Sequence, residues 1–451
     1  MNSDDIKKKQ KREKIKVIVG LGKTGISCAR FFVRERIAFS VQDSNPTAER
    51  ILELQQIAPA VTVSVLNGAA LCLADEIILS PGVPLSTPAI AQARLVGVPV
   101  TGDVSIFLEQ VKQPVIAITG SNGKSTVTAL VGEILAAAGM RVGVGGNIGT
   151  PCLDLDQECD IFVLELSSYQ LEVIEAGGFH IAVVLNLSPD HLDRYPSVED
   201  YYQTKQRIYQ GAVTALFNRQ SGAPDGIDAS SQLLSFGNDA PSGAADYGMT
   251  EIDGRLSLMQ GTHVIVAVDE LNIKGRHNAL NALVAIAIAD QLGVTRRSSL
   301  SALLDFTGLP HRCEWVGCFR DVEFINDSKA TNTGATAAAI EGLAEDGRDL
   351  VLILGGVSKG ADFTLLRDVV ARHVSQVYLF GQDADLIATA IDGLVPCEQL
   401  ASLSAVINTL AQNLPDHGRV IFAPACASFD EFRDFEHRGD EFKRLVREVF
   451  L

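Results

Sequence analysis

The stretch Val115-Ile-Ala-Ile-Thr119, followed by Gly120-Ser-Asn-Gly-Lys-Ser-Thr126, constrains the fold of this chain more than any other. A β-branched run enters a turn of glycines, a lysine and hydroxyls, and Val127 to Ala138 then has helical composition and apolar spacing. The pattern is strand, loop, helix. Consecutive backbone N–H groups in such a loop face an anion, and the helix N-terminus adds its positive end. Lys124 then reaches the outer phosphates and Ser125 can ligate magnesium. The expected guest is a nucleoside triphosphate held by Gly120, Ser121, Asn122, Gly123, Lys124, Ser125 and Thr126. The spacing is shorter than the general phosphate-loop pattern, because Ile118 stands where an earlier glycine belongs. Phosphate binding follows from these residues; the reaction type does not.

At 451 residues the chain is too long for one ordinary core, and a prior of ~150 residues per domain predicts about three. An apolar content of 47% with 21% charged residues is that of a soluble globular protein. No apolar run approaches the ~18 residues of a membrane span, so no membrane insertion is expected. Residues 1–14 are lysine-rich and lead straight into a strand, which predicts a solvated tail and not a signal peptide. Cysteines at 28, 72, 152, 159, 313, 318, 397 and 426 form no metal-like pattern, as expected of reduced thiols in the cytoplasm. A formal net charge of −17 argues against nucleic-acid binding. Anionic small substrates are still allowed, since a few local cations decide that.

Taken in order, the chain predicts three consecutive α/β units with parallel sheets: 1–102, 103–308 and 309–451. In the first, the strand Ile15 to Val19 enters Gly20-Leu-Gly-Lys-Thr-Gly25, with a helix expected from about Ile26. Asp43 closes a second strand at the distance of a ribose-binding carboxylate. Alone, this pattern predicts a dinucleotide-binding oxidoreductase. A third strand ends in Ser80-Pro81-Gly82, at the edge where open α/β sheets bind ligands. In the second unit, Gly143 to Gly149 reads as a flexible glycine loop. The strands Ile161 to Leu164 and Ile181 to Leu185 carry Glu165-Leu-Ser-Ser168 and Asn186 to Tyr195 at their carboxyl ends. A helix from about Val198 to Tyr209 carries Lys205, and another runs from Gly275 to Leu292. In the third unit, strands are expected at 323–325, 350–354, 376–380 and 419–422, and a last helix at 436–450.

The set Gly120 to Thr126, Glu165-Leu-Ser-Ser168, the His191 segment, Gly275-x-His-Asn278, Leu309-Pro-His-Arg312 and Asn326-Asp-Ser-Lys-Ala-Thr331 resembles the Mur ligases of bacterial cell-wall synthesis. The resemblance spans the chain from Ile15 onward and replaces the oxidoreductase reading. It implies an N-terminal Rossmann-like domain holding a uridine diphosphate sugar, a central ATP-binding domain and a C-terminal Rossmann-like domain for an amino acid. Gly22, Lys23, Thr24, Asp43, Ser44, Ser80, Pro81, Gly82, Asn147 and Ser167 would contact the sugar nucleotide. Asn278, Asn281, Arg312 and Asp327 would join the phosphate loop around ATP. Lys124, Glu165, His191 and Lys205 would be catalytic. Ser125 and Glu165 would ligate one magnesium ion, and His191 a second, supported by Lys205 carbamylated with carbon dioxide. Thr331, Lys359, Ser428 and Phe435 would bind D-glutamate, to be joined through an acyl phosphate to UDP-N-acetylmuramoyl-L-alanine by a cytoplasmic monomer. A small-molecule kinase and an inactive nucleotide-binding scaffold are the competing readings. Dependence on an amine separates the ligase from the kinase, and ATP turnover separates it from the scaffold.

Overall fold

The computed structural model describes residues 15–174, 177–191, 194–224, 227–344 and 348–450. The tail at 1–14, and Leu192 and Asp193 of the His191 segment, lie outside the described residues.

Three sheets follow one another along the chain. The first has five strands, ordered in space Val63–Ser64, Phe39–Gln42, Lys16–Val19, Glu76–Leu79 and Val100–Thr101, all parallel. The strand order reverses beside Lys16–Val19, so the turn after this strand opens at the switch point of the sheet. The helix Lys23–Arg34 starts earlier than the expected Ile26. The turn is already complete at Gly20, whose φ is +91°. Ser80 Oγ donates to the Gly20 carbonyl at 2.7 Å, and a Cβ on Gly25 would lie 2.1 Å from that same carbonyl oxygen. Only glycine lets helix and strand approach this closely.

The central sheet has nine strands. Its parallel part runs Tyr247–Ile252, Gln232–Phe236, Thr214–Asn218, Ile181–Val184, Val115–Thr119, Ile161–Glu165, Val142–Gly146. Val115–Thr119 and Ile161–Glu165 are buried along their whole length, which explains why they read as unbroken apolar runs. The helices Lys124–Ala137 and Arg276–Gln291 pack on this sheet through a common core with Ile116, Ile118, Val163 and Val183. Two features differ from the sequence expectation. The antiparallel strands Arg255–Gln260 and His263–Ala267 extend the sheet beyond its parallel part. The glycine stretch begun as a loop is largely the strand Val142–Gly146. Its glycines answer crowding: a Cβ on Gly143 would meet the Phe162 ring at 2.5 Å, and one on Gly146 (φ +101°) the Glu165 carbonyl at 2.4 Å.

The third sheet has six strands, ordered Glu314–Phe319, Val322–Asn326, Gly418–Phe422, Asp349–Gly355, Gln376–Phe380, Cys397–Gln399. It is parallel except for the hairpin of its first pair. It holds its own apolar clusters, around Leu352 and Leu379 on one face and around Ile353 and Phe422 on the other. The helix Phe435–Phe450 covers the second of these with Phe442, Leu445 and Val446. Among the described residues no helix is long and apolar enough to cross a membrane.

Candidate active site

The carboxyl ends of the central strands meet the junction with the third unit around a cavity of about 260 Å³. The phosphate loop forms its floor. Lys124 Nζ donates to the Gly120 and Ser121 carbonyls at 2.8 and 2.9 Å. Burial lowers its pKa, while Glu165 and Asp190 act the other way. Ser125 Oγ donates to Glu165 Oε2 at 2.5 Å, and Asn147 Nδ2 to Glu165 Oε1 at 2.7 Å. Burial alone would raise the Glu165 pKa. The Lys124 charge, the Ser125 and Asn147 hydrogen bonds and Arg312 outweigh it and hold the carboxyl below its ordinary value. The result is an ionised carboxylate with a hydroxyl beside it, at the place where a triphosphate would lie.

Arg312, from the third unit, reaches across and donates to Ser125 Oγ at 2.6 Å. His191, at a positive φ of 56°, has Nδ1 2.7 Å from the Tyr169 hydroxyl and Nε2 3.7 Å from Asp190 Oδ2. Burial lowers its pKa against the pull of Asp190, and Lys359, Lys124 and Lys205 add to the lowering, which favours the neutral ring. Lys205 is no surface lysine: it is 2% exposed, and Nζ donates to the Gly120 carbonyl at 2.9 Å. Burial, then the neighbouring Lys124, push its pKa well below the ordinary lysine value.

Behind the phosphate loop a second cavity of about 260 Å³ is lined by Asn122, Gly123, Thr126, Asn278, Asn281, Arg312, Asp327 and apolar residues including Phe236 and Leu280. Asn278 and Asn281 share one face of their helix, with Asn281 Nδ2 donating to Asn278 Oδ1 at 3.2 Å. Burial raises the Asp327 pKa to about 6. A third cavity, about 430 Å³, lies at the first sheet and is lined by Gly22, Lys23, Thr24, Asp43, Ser80, Pro81, Gly82 and Asn147. Asp43 also closes the turn there, accepting the Leu21 N–H at 2.6 Å. Asn147 belongs to the walls of both this cavity and the central one.

Not every expected residue falls where the sequence suggested. Ser44 is absent from the lining of the first-sheet cavity, and Ser167 lines the central one instead. Thr331 and Lys359 line the central cavity. Ser428 does not: it is 2% exposed, and its carbonyl accepts the Phe432 N–H at 2.9 Å. Phe435 is likewise off the wall. Its carbonyl accepts from Ser328 Oγ at 2.8 Å, and its ring lies 3.8 Å from Lys329 Nζ.

Sequence reasoning assigned nothing to Lys329, Asn332 or Tyr169, all of which line the central cavity. Burial lowers the Lys329 pKa to about 8. Asn332 Nδ2 donates to Asp190 Oδ2 at 3.0 Å and Asn122 Oδ1 at 3.2 Å. Lys329 stood inside a motif already singled out, so its charge was the available signal. Asn332 and Tyr169 gave none.

Comparison with known proteins accounts for nearly the whole chain. Residues 14–102 match the Mur ligase MurD-like N-terminal domain, 118–289 the Mur ligase middle domain and 311–426 the Mur ligase glutamate ligase domain. The UDP-N-acetylmuramoylalanine--D-glutamate ligase of Pseudomonas fluorescens is 43% identical over 96% of this chain and 98% of its own. The protein of that name from Legionella pneumophila strain Lens is 44% identical with the same coverage. Among solved structures, the MurF ligase of Thermotoga maritima in complex with ADP has a TM-score of 0.59 at 15% identity, covering 97% of this chain and 96% of that one.

Proposed function

We propose, from the premise that this chain belongs to the Mur ligase family, that it is the ATP-dependent ligase joining D-glutamate to UDP-N-acetylmuramoyl-L-alanine. The observation that carries the reading is one wall: Asn147 borders the first-sheet cavity and also holds Glu165 beside Ser125 and Lys124. A substrate seated at Gly22 to Thr24 would extend past Asn147 to the phosphate loop. The unit 1–102 is read as holding the sugar nucleotide, 103–308 ATP and 309–451 the amino acid, in a cytoplasmic monomer.

The chemistry divides into two displacements. The alanine carboxylate oxygen attacks the γ-phosphorus of ATP, the bond to the bridging oxygen breaks and ADP leaves. The neutral amine of D-glutamate then attacks the acyl carbon, and the tetrahedral intermediate collapses to the amide with loss of phosphate. Lys124 and Arg312 place cationic donors on the transferring phosphoryl group, where they count most because charge is spreading there. Lys359 and Thr331 supply a charge and a hydroxyl for the carboxylates of the amino acid.

The donor set fits magnesium. Glu165, held ionised, and the Ser125 hydroxyl are hard oxygen donors, and Mg2+ takes few protein ligands with phosphate and water filling the rest. His191, whose lowered pKa favours the neutral ring, and a carbamate on Lys205 would serve a second ion. A deprotonated amine is what reacts with carbon dioxide, and burial, then the neighbouring Lys124, shift Lys205 toward that form by lowering its pKa. When bound, the ions neutralise phosphate charge.

Amine-dependent turnover is the test. The purified protein with ATP, magnesium and the sugar nucleotide should release ADP and phosphate only when D-glutamate is present. A phosphorylated product without the amine would make it a kinase, and equal amide formation with L-alanine or L-lysine would remove the D-glutamate assignment. Carbon-13 NMR with labelled bicarbonate should give a carbamate signal that Lys205→Arg abolishes.

A further inference from the structure

Arg194 joins the two ends of the substrate path. Its side chain is 9% exposed and that of its partner Glu172 11%. Nε and one terminal nitrogen donate to the two Glu172 oxygens at 3.1 and 2.7 Å. The other terminal nitrogen crosses to the first unit and donates to the Pro81 carbonyl at 2.8 Å, with the Val83 carbonyl at 3.5 Å from the guanidinium. On its far side the guanidinium lies 3.8 Å from the centre of the Tyr169 ring, and the Tyr169 hydroxyl bonds His191 Nδ1 at 2.7 Å. The Arg194 backbone N–H also donates to the His191 carbonyl at 2.9 Å. Tyr195 secures Glu172 from the other side, donating at 2.6 Å. One planar cation thus touches the Ser80–Val83 turn, which borders the first-sheet cavity, and the ring that fixes His191 in the central one.

We propose that Arg194 is a positioning residue for the ligase reaction: it registers the Ser80–Val83 turn with the His191 segment, so that a sugar nucleotide gripped at one end presents its carboxylate in line at the other. The inference rests on the sugar-nucleotide reading of the first cavity. The planar fork is essential to it, since lysine is a point charge that cannot hold a carboxylate, a carbonyl and a ring face together. Small errors of placement are expensive in such reactions, with ~1 Å costing up to about 100-fold.

Steady-state kinetics on the full chain test the proposal with two variants. Arg194→Lys keeps the charge and loses the fork. Arg194→Met combined with Glu172→Gln removes both charges, leaving no buried carboxylate unpaired. Both should raise the KM for the sugar nucleotide and lower kcat, each by about tenfold, while the KM for ATP stays within about twofold and thermal melting establishes that the fold is kept. An unchanged sugar-nucleotide KM in Arg194→Lys, or equal rises in the KM of all three substrates, would overturn the role. Wild-type turnover of the same substrates tests the functional reading separately, because it does not depend on what Arg194 does.

Discussion

The central unit meets its two neighbours in opposite ways. Toward the first unit it shares one apolar core, in which Leu21, Ile26, Phe31 and Phe32 pack with Val104, Phe107, Leu153 and Phe162. Toward the third it presents polar contacts between cavity-lining side chains: Arg312 to Ser125, Asn332 to Asn122 and Asp190, and Cys313 to His277. Separating the first interface would expose apolar surface at about 25 cal/mol per Å². Opening the second exchanges hydrogen bonds for bonds to water at a net cost of only about 1 kcal/mol each. The difference teaches which junction can serve as a hinge. On the proposed reading, the shared core would hold the sugar-nucleotide and ATP cavities at a constant separation, and the polar junction would let the amino-acid unit approach and withdraw.

The comparison breaks most readily at Arg312. Arg312→Ala removes a cation delivered from the third unit, and kcat/KM measured by ADP release should fall about 10³-fold or more, with little change in unfolding free energy. A variant retaining half its activity would mean that the third unit need not close.

On the fused side, Phe107 stands edge-on to Phe162 at 5.0 Å between ring centres. Phe107→Ala should cost about 3–5 kcal/mol in chemical denaturation, lowering a single transition common to the first and central units while that of the third unit stays put. Separate transitions for the first two would contradict a shared core.

Acidity should sharpen the contrast at His277, whose burial lowers its pKa to about 4. Its Nδ1 faces the Ala338 carbonyl at 3.1 Å and its Nε2 the Cys313 thiol at 3.5 Å, an arrangement for a neutral ring. Between pH 4 and the ordinary 6.5 the unfolded chain binds a proton that the folded one does not. Stability therefore rises with pH in that window and is lost on acidification, by at most about 1.4 kcal/mol per pH unit. Denaturation of His277→Gln should show a shallower slope across the same window; an identical slope would clear His277 of the effect.

The smallest effect belongs to Arg30, which bridges to Asp154 at 2.6 Å across the fused interface but is 42% exposed. Arg30→Ala should change stability by no more than about 1 kcal/mol and leave turnover intact. A larger loss, read by the same denaturation assay, would mean that the ion pair and not the shared core holds these units.

What could be read in the sequence follows from how locally each feature is encoded. The phosphate loop was legible because strand, turn and helix lie within one short stretch. The strand that ends in Glu165 and the one that leads toward His191 were legible because both are buried throughout and apolar up to that carboxylate. Lys205 was harder: its helix, Val198–Gln206, has few apolar residues, and nothing in that polar run says that Tyr201 and Lys205 are buried while their neighbours are not. Arg194 and Asn332 act across units, on partners far away in the chain, and no spacing announces them. Ser428 follows the strand Gly418–Phe422, as expected, and Phe435 opens the last helix, but neither lines the central cavity.

Asn147, standing between two cavities, turns the fused pair of units into a gauge of length. On the proposed reading, a uridine nucleotide seated at one end is measured against Glu165 at the other, and neither end can shift to meet a shorter molecule. A sugar nucleotide lacking the alanine arm would then be held well and left unreacted: it would compete with the substrate for its seat without ever bringing an oxygen to the phosphate. The enzyme would tell its substrate from that molecule's biosynthetic precursors by reach, with no need for a contact that repels them.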